Sequence, residues 1–149
     1  MTEMQELDPH RMVVLSLKPR FAEAILAGVK TVELRRTVPR IEVPTRALLY
    51  ATTPLRALLG TCVISRVQTA GLAALWSEYG SRADLSHQEF RQYFEGVAAG
   101  TALELAQPQA LSQPIPLRDL RTRQDGFRPP QSYSYVGARI GNQLIQQAA

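Results

Sequence analysis

The chain has 149 residues, 45% of them hydrophobic and 20% charged, with a formal net charge of +4 and a single cysteine, Cys62. That length suits one domain burying about 70% of its unfolded surface in one core, and a lone cysteine excludes an internal disulfide and any multi-cysteine zinc site. No apolar run approaches the roughly 20 residues of a membrane helix, and the start, MTEMQELD, is acidic and polar, so a soluble cytoplasmic protein with no membrane partner is expected.

Residues 1–10 show no periodicity and are expected to be a mobile leader; residues 11–138 make the domain, and residues 139–149 a weak helix or tail. Residues 12–17, MVVLSL, read as a first strand. Pro19 suits the first position of a helix, in which Phe21, Ala24, Ile25 and Gly28 recur at i, i+3, i+4 and i+7; Phe21 and Ile25 face the core, and Gly28 ends it. The period then changes to two. Val32 and Leu34 point one way and Thr31, Glu33 and Arg35 the other, which sets an acid beside a base on one strand face. Residues 37–45 carry Pro39 and Pro44 and read as a loop. Residues 47–51, ALLYA, form a central strand; Thr52, Thr53 and Pro54 break it; residues 58–67 resume as a strand with a candidate bulge at Gly60.

Two helices follow. Leu72, Leu75, Trp76 and Tyr79 share one helical face, and Phe90, Tyr93, Phe94 and Val97 another, the second introduced by a capping box at Ser86 and Glu89. These aromatics, Trp76 included, are assigned to the core rather than to base stacking. Residues 101–111 read as a strand broken at Pro108, residues 117–120 as a turn of helix, and residues 122–130 as loop. In residues 131–136 Tyr133 and Tyr135 share a face near Arg121, Arg123 and Arg128, where they either stack on a base or close the fold through buried rings.

Charge is uneven along this order. Residues 11–46 hold eight bases against three acids and residues 106–149 five bases against two acids, whereas residues 1–10 and 70–105 are net acidic. If the two basic stretches meet they make one positive face suited to phosphate; the alternative is an ordinary solvated arginine surface. Lysine occurs only at Lys18 and Lys30, on either side of the first helix. Its ammonium is a compact point charge whose pKa falls on burial, so this usage points to chemistry or close phosphate contact, weighed against two chance surface ion pairs. No GxSxG, GK[ST] phosphate loop, HExxH or HxE with CxxC is present, and His10 and His87 lack ligand spacing, so no metal and no cofactor are expected.

Residues 28–35, GVKTVELR, read as GxKxxExR, and LSLKP at 15–19, YATTP at 50–54 and PPQSY at 129–133 stand in order around them. Together these stretches resemble the ASCH domain family of the PUA-like superfamily, over residues 12–136. The resemblance implies an α+β fold, a small mixed β-barrel with helices packed around it, and a cleft that receives RNA or a modified nucleotide. The nucleic-acid contacts expected on this basis are Lys18, Arg20, Lys30, Glu33, Arg35, Arg36, Thr52, Gln131, Ser132 and Tyr133, with Glu33 accepting hydrogen bonds from a base edge.

Three functional readings follow: a binder of RNA or nucleotide, a hydrolase in the same cleft with Lys30 and Glu33 as catalytic pair, and a regulatory module that binds protein. Some proteins similar to this chain are amidohydrolases on N4-acetylcytidine that use a lysine, a threonine nucleophile and a glutamate. Lys30 takes the lysine's place, but Glu33 stands where the threonine would, and the acid's place falls on Ala83 beside Asp84, which argues against that activity. Others in the superfamily are ribonucleases, and that route stays open. If the motif serves binding alone, Lys30→Ala and Glu33→Ala are expected to abolish binding with little change in melting temperature.

Overall fold

A computed structural model describes residues 6–147, and within them lie six strands and five α-helices. In chain order these are β1 (Arg11–Leu17), α1 (Pro19–Leu26), β2 (Val32–Arg35), β3 (Thr45–Ala51), β4 (Ala57–Gly71), α2 (Leu72–Tyr79), α3 (His87–Tyr93), β5 (Ala99–Pro116), α4 (Leu117–Arg123), β6 (Tyr133–Gly137) and α5 (Ala138–Ile145), with a 3-10 turn at Gly80–Arg82 between α2 and α3. The strands make one sheet in the order β2-β5-β4-β3-β1-β6. β1 and β3 pair in parallel and the other neighbours antiparallel.

The continuous apolar runs of β1 and β3 are explained by burial on both faces. Alternation sends Val13, Leu15 and Leu17 toward Ala22 and Ile25 of α1, while Met12 and Val14 face Leu120 of α4 and Leu144 of α5. A third cluster joins Val32 and Leu34 of β2 to Leu75 and Tyr79 of α2, Phe90 of α3 and Phe94 at the C-terminal cap of α3. Trp76 stacks on His87 at 4.7 Å between ring centroids, so its role is packing. The capping box forms as the sequence predicts: the Ser86 hydroxyl accepts from the Glu89 N–H, and the Glu89 carboxylate from the Ser86 N–H. α1 ends in a Schellman motif, with Gly28 N–H on the Ile25 carbonyl, Val29 N–H on the Ala24 carbonyl, and Gly28 at φ +79°.

The α+β class holds, but the expected barrel does not close. β2 and β6 are the edges of the sheet and share no ladder. Residues 36–44 lie beside β6, and Pro39, with no N–H to donate, suits them to a loop rather than a further strand. The Tyr133 and Tyr135 hydroxyls instead accept from the backbone N–H groups of Arg40 and Glu42 at 2.8 Å each, so the tyrosines fasten the loop that covers the gap.

Two strand boundaries also differ from expectation. β4 runs on to Gly71, and β5 extends from Ala99 to Pro116 through Pro108. The ladder absorbs that proline as a bulge: Ala106 pairs with Val63 and Gln109 with Thr61, leaving two residues opposite Cys62, with Gln107 at φ +51°. Gly60 stands at a register shift, as its sequence context suggests. Of the leader expected over residues 1–10, residues 1–5 lie outside the described residues; Asp8 N–H donates to the Pro44 carbonyl, and its carboxylate accepts from the N–H groups of His10 and Arg11. None of the described helices is long and apolar enough to cross a membrane.

A methyl group at Gly60 would meet the Gln109 carbonyl oxygen and Leu26 Cδ2 at 2.5 Å. Gly60→Ala is expected to cost about 1–3 kcal/mol by overpacking, seen in urea unfolding as a lower midpoint at unchanged slope.

Candidate functional site

The Schellman turn that ends α1 directs the next residue inward. The Lys30 N–H joins the Ala24 carbonyl, and the Lys30 side chain enters the protein, where it is 1% exposed. Its ammonium donates to the Ala83 carbonyl just after the 3-10 turn, pairs with Glu33 Oε1 at 3.4 Å, and sits 4.6 Å from the centre of the Phe21 ring. Burial pushes the Lys30 pKa below 10.5, and the Glu33 carboxylate opposes that fall without reversing it.

Glu33 is 7% exposed, and its other oxygen is held at 2.8 Å by Arg35 Nη2. The period of two in β2 is what sets the two residues on the face opposite Val32 and Leu34. Arg35 continues the chain of contacts: Nη2 donates to the Ser16 carbonyl at 3.1 Å and Nη1 to Ser132 Oγ at 2.9 Å, while its buried Nε has no partner among the described residues. Ser16 is fixed in turn, its N–H on the Ser132 carbonyl and its hydroxyl on the Pro130 carbonyl. Each oxygen of Glu33 therefore meets a cation, and the row Lys30–Glu33–Arg35 runs from the α1 turn to Ser132, just before the strand at the opposite sheet edge.

This row forms the floor of a cleft of about 450 Å³. One wall is Lys18, Arg20 and Phe21 at the start of α1; the other is Leu85 with Glu89, Gln92 and Tyr93 of α3. Of the residues singled out in the sequence, Lys18, Arg20, Lys30, Glu33 and Arg35 line the cleft, and Ser132 touches it through Arg35. Arg36 turns away to the carbonyls of Tyr93 and Glu95. Thr52 and Gln131 are not among the lining residues, although the Thr52 N–H donates to the carbonyl of Leu17, which is, and the Tyr133 hydroxyl is engaged with the Arg40 N–H.

Several lining residues were read in the sequence as something else or not at all, Leu85 and Gln92 among the latter. Tyr93, assigned to the core by its helical spacing, is 39% exposed and feels both Arg35 and Glu33. Glu89 was read only as a cap, and Ser16 only as part of a strand and of the LSLKP stretch, not as a site residue. A helix that forms one wall of a cleft shows the same i, i+3 spacing as one that covers a core, so spacing could not separate them; a signal was available only in Tyr93, whose hydroxyl distinguishes it from Phe90 and Phe94.

The sheet and the helices packed on it make a PUA-like α+β fold, and this chain places a buried lysine and a carboxylate–guanidinium pair at the floor of its cleft. The ASCH domain model matches residues 15–114, and the chain belongs to the ASCH domain family. A Zymomonas mobilis protein named ASCH domain-containing ribonuclease is 38% identical over 142 residues, which is 95% of each chain. The crystal structure of ASCH from Zymomonas mobilis superposes with a TM-score of 0.85 at 37% identity, covering 90% of this chain and 93% of that one. Human THYN1, solved with DNA containing 5-methylcytosine, shares the fold at a TM-score of 0.55 and 9% identity, covering 91% and 95%.

The burial of Lys30 and Glu33 overturns the expectation that their removal leaves stability unchanged. Glu33→Ala strands two cations at once and is expected to cost about 3–5 kcal/mol in urea unfolding, the range for breaking a buried pair. The pH dependence has a definite sign. With the folded pKa of Lys30 below 10.5, the unfolded chain binds the extra proton between the two values, so raising pH through that window stabilises the fold. Relative to Lys30→Met, the wild type should gain stability as pH rises toward 10.5, and an unchanged difference in unfolding free energy across that range would refute the assignment.

Proposed function

We propose that this chain binds RNA in the cleft between α1 and α3 and cleaves a phosphodiester there. The observation that carries the reading is the buried Lys30–Glu33–Arg35 row at the floor of a cationic cleft, and the 38% identical relative named a ribonuclease supports it. Arg35 and Lys18 face the phosphate, and the Glu33 carboxylate faces the attacking hydroxyl. In the step proposed, the hydroxyl oxygen bonds to phosphorus and its proton passes to Glu33; the bond from phosphorus to the departing oxygen breaks, that oxygen takes a proton from solvent water, and Glu33 returns its proton to solvent. Lys30 acts behind Glu33, fixing its orientation and balancing its charge.

A second reading, a binder without turnover, draws on one feature of the geometry. Both oxygens of Glu33 are paired with cations, which suits a fixed acceptor for the amino group of a base as well as it suits a proton acceptor. The two readings separate in one experiment. Purified protein is incubated with a cellular RNA pool and with acylated nucleosides, and bound and cleaved material are measured together. RNA fragments formed by wild type, with the rate lowered about 10²–10⁴-fold in Glu33→Gln, support the nuclease. RNA retained without fragments supports the binder, and deacylated nucleoside as the sole product would overturn both.

A further inference from the structure

The cleft just assigned to RNA carries a second carboxylate at its mouth, where a polyanion has to enter. Glu89, in the first turn of α3, faces Arg20, in the first turn of α1, and the two meet fork to fork: Nη1 to Oε2 at 2.6 Å and Nη2 to Oε1 at 3.2 Å. Arg20 Nη2 also donates to the Asp84 carbonyl at 3.0 Å. α1 and α3 supply the two walls of the cleft and both residues line it, so the pair bridges the walls. Exposed Lys18 lines the same mouth.

A guanidinium fork fits two oxygens of a phosphate as it fits two oxygens of a carboxylate. Glu89 thus occupies, on Arg20, the place that a phosphate would take. The side chains are 52% and 40% exposed, and exposed ion pairs are weak enough to exchange. Protonation does not open the bridge, because Arg20, together with the Ser86 N–H, holds the Glu89 carboxyl down to about 2. At neutral pH it is a competing anion, rather than a proton, that can take the place of Glu89 on Arg20.

We propose that Arg20 is a phosphate ligand kept covered by Glu89, and that an incoming RNA phosphodiester displaces Glu89 to reach it. The inference rests on the RNA reading of the same cleft and narrows it. A ligand must bring phosphate to open the mouth, which selects a polynucleotide over a free nucleoside. Glu89 sets the threshold, and Arg20 collects the phosphate once it is released.

The test is a fluorescence-anisotropy titration of a 5′-labelled, mixed-sequence single-stranded oligoribonucleotide over a salt series, with wild type, Glu89→Gln, Arg20→Gln, the double variant of these two, and Lys30→Met. Glutamine keeps the reciprocal hydrogen bond of the capping box, so Glu89→Gln removes charge without removing the cap; a thermal melt checks the fold of each variant. Glu89→Gln is expected to bind roughly 2–5-fold more tightly. Arg20→Gln should bind more weakly, with a salt slope shallower by about 0.7, one phosphate contact on a single strand, and the double variant should behave like Arg20→Gln. If Arg20→Gln fails to fold, the direction of the Glu89→Gln change decides alone. Wild-type binding that is lost in Lys30→Met yet indifferent to both Glu89→Gln and Arg20→Gln keeps the RNA reading and overturns this one. Absence of wild-type binding overturns both.

Discussion

A charge inside the protein constrains nearly everything around it. The Lys30 ammonium lies where the first turn of α1, the strand β2 and the residue that follows the 3-10 turn converge, and each of the three supplies part of its surroundings: Phe21, Glu33 and the Ala83 carbonyl. An unpaired ion in that position would be strongly destabilising. Glu33 must therefore be held against it, and Glu33 is held from its other side by Arg35, which is anchored to β1 and to Ser132. The use of lysine follows from the same place. Arginine would bring five donors into surroundings that offer two acceptors, whereas an ammonium on a flexible stem is satisfied by a carbonyl, a carboxylate and a ring face.

This chain of contacts also does what strand pairing leaves undone. The sheet stays open between β2 and β6, so neither edge is tied to the other by a ladder. Arg35 crosses from β2 to Ser16 of β1 and to Ser132 just before β6, and the tyrosine hydroxyls of β6 hold the residues that follow β2. The floor of the cleft is thus part of the fold's closure. Substitutions there report on stability and on ligand together, and only a variant such as Glu89→Gln, at the exposed mouth, separates the two. A fixed floor beneath an exchangeable rim is a division of labour between buried and solvated ion pairs: the first are held by the cost of leaving a charge alone, the second are weak enough to yield to a competing ion.

Much of the local structure was legible in the residues. Pro19 and Gly28 mark the two ends of α1, Ser86 and Glu89 start α3, and the switch to a period of two after Gly28 set Glu33 and Arg35 on one face. Three of the cleft's central residues, Lys30, Glu33 and Arg35, stood out for the same reason, since they share one strand and its approach. Less legible was anything that depends on which face a helix turns to its neighbours. Glu89 and Tyr93 fit a cap and a core by spacing alone, and Arg36 and Tyr133, basic and aromatic beside the motif, looked like ligand contacts when their polar groups in fact serve backbone atoms. Pro108 misled in a different way, because a ladder long enough on either side absorbs one bulge where a short strand would have ended.

The sequence by itself determined most of the helices and strands, the two ends of α1 and the acid–base face of β2, because those depend on side-chain period and on residues within a turn of each other. Only the tertiary structure decided that Lys30 is buried against a carbonyl 53 residues away, that Arg20 meets Glu89 across 69 residues, and that Arg35 reaches Ser132 across 97. It also decided that the sheet remains open. Contacts of that separation are fixed by how the three apolar clusters pack together, and no local pattern of residues encodes the distance between two of them.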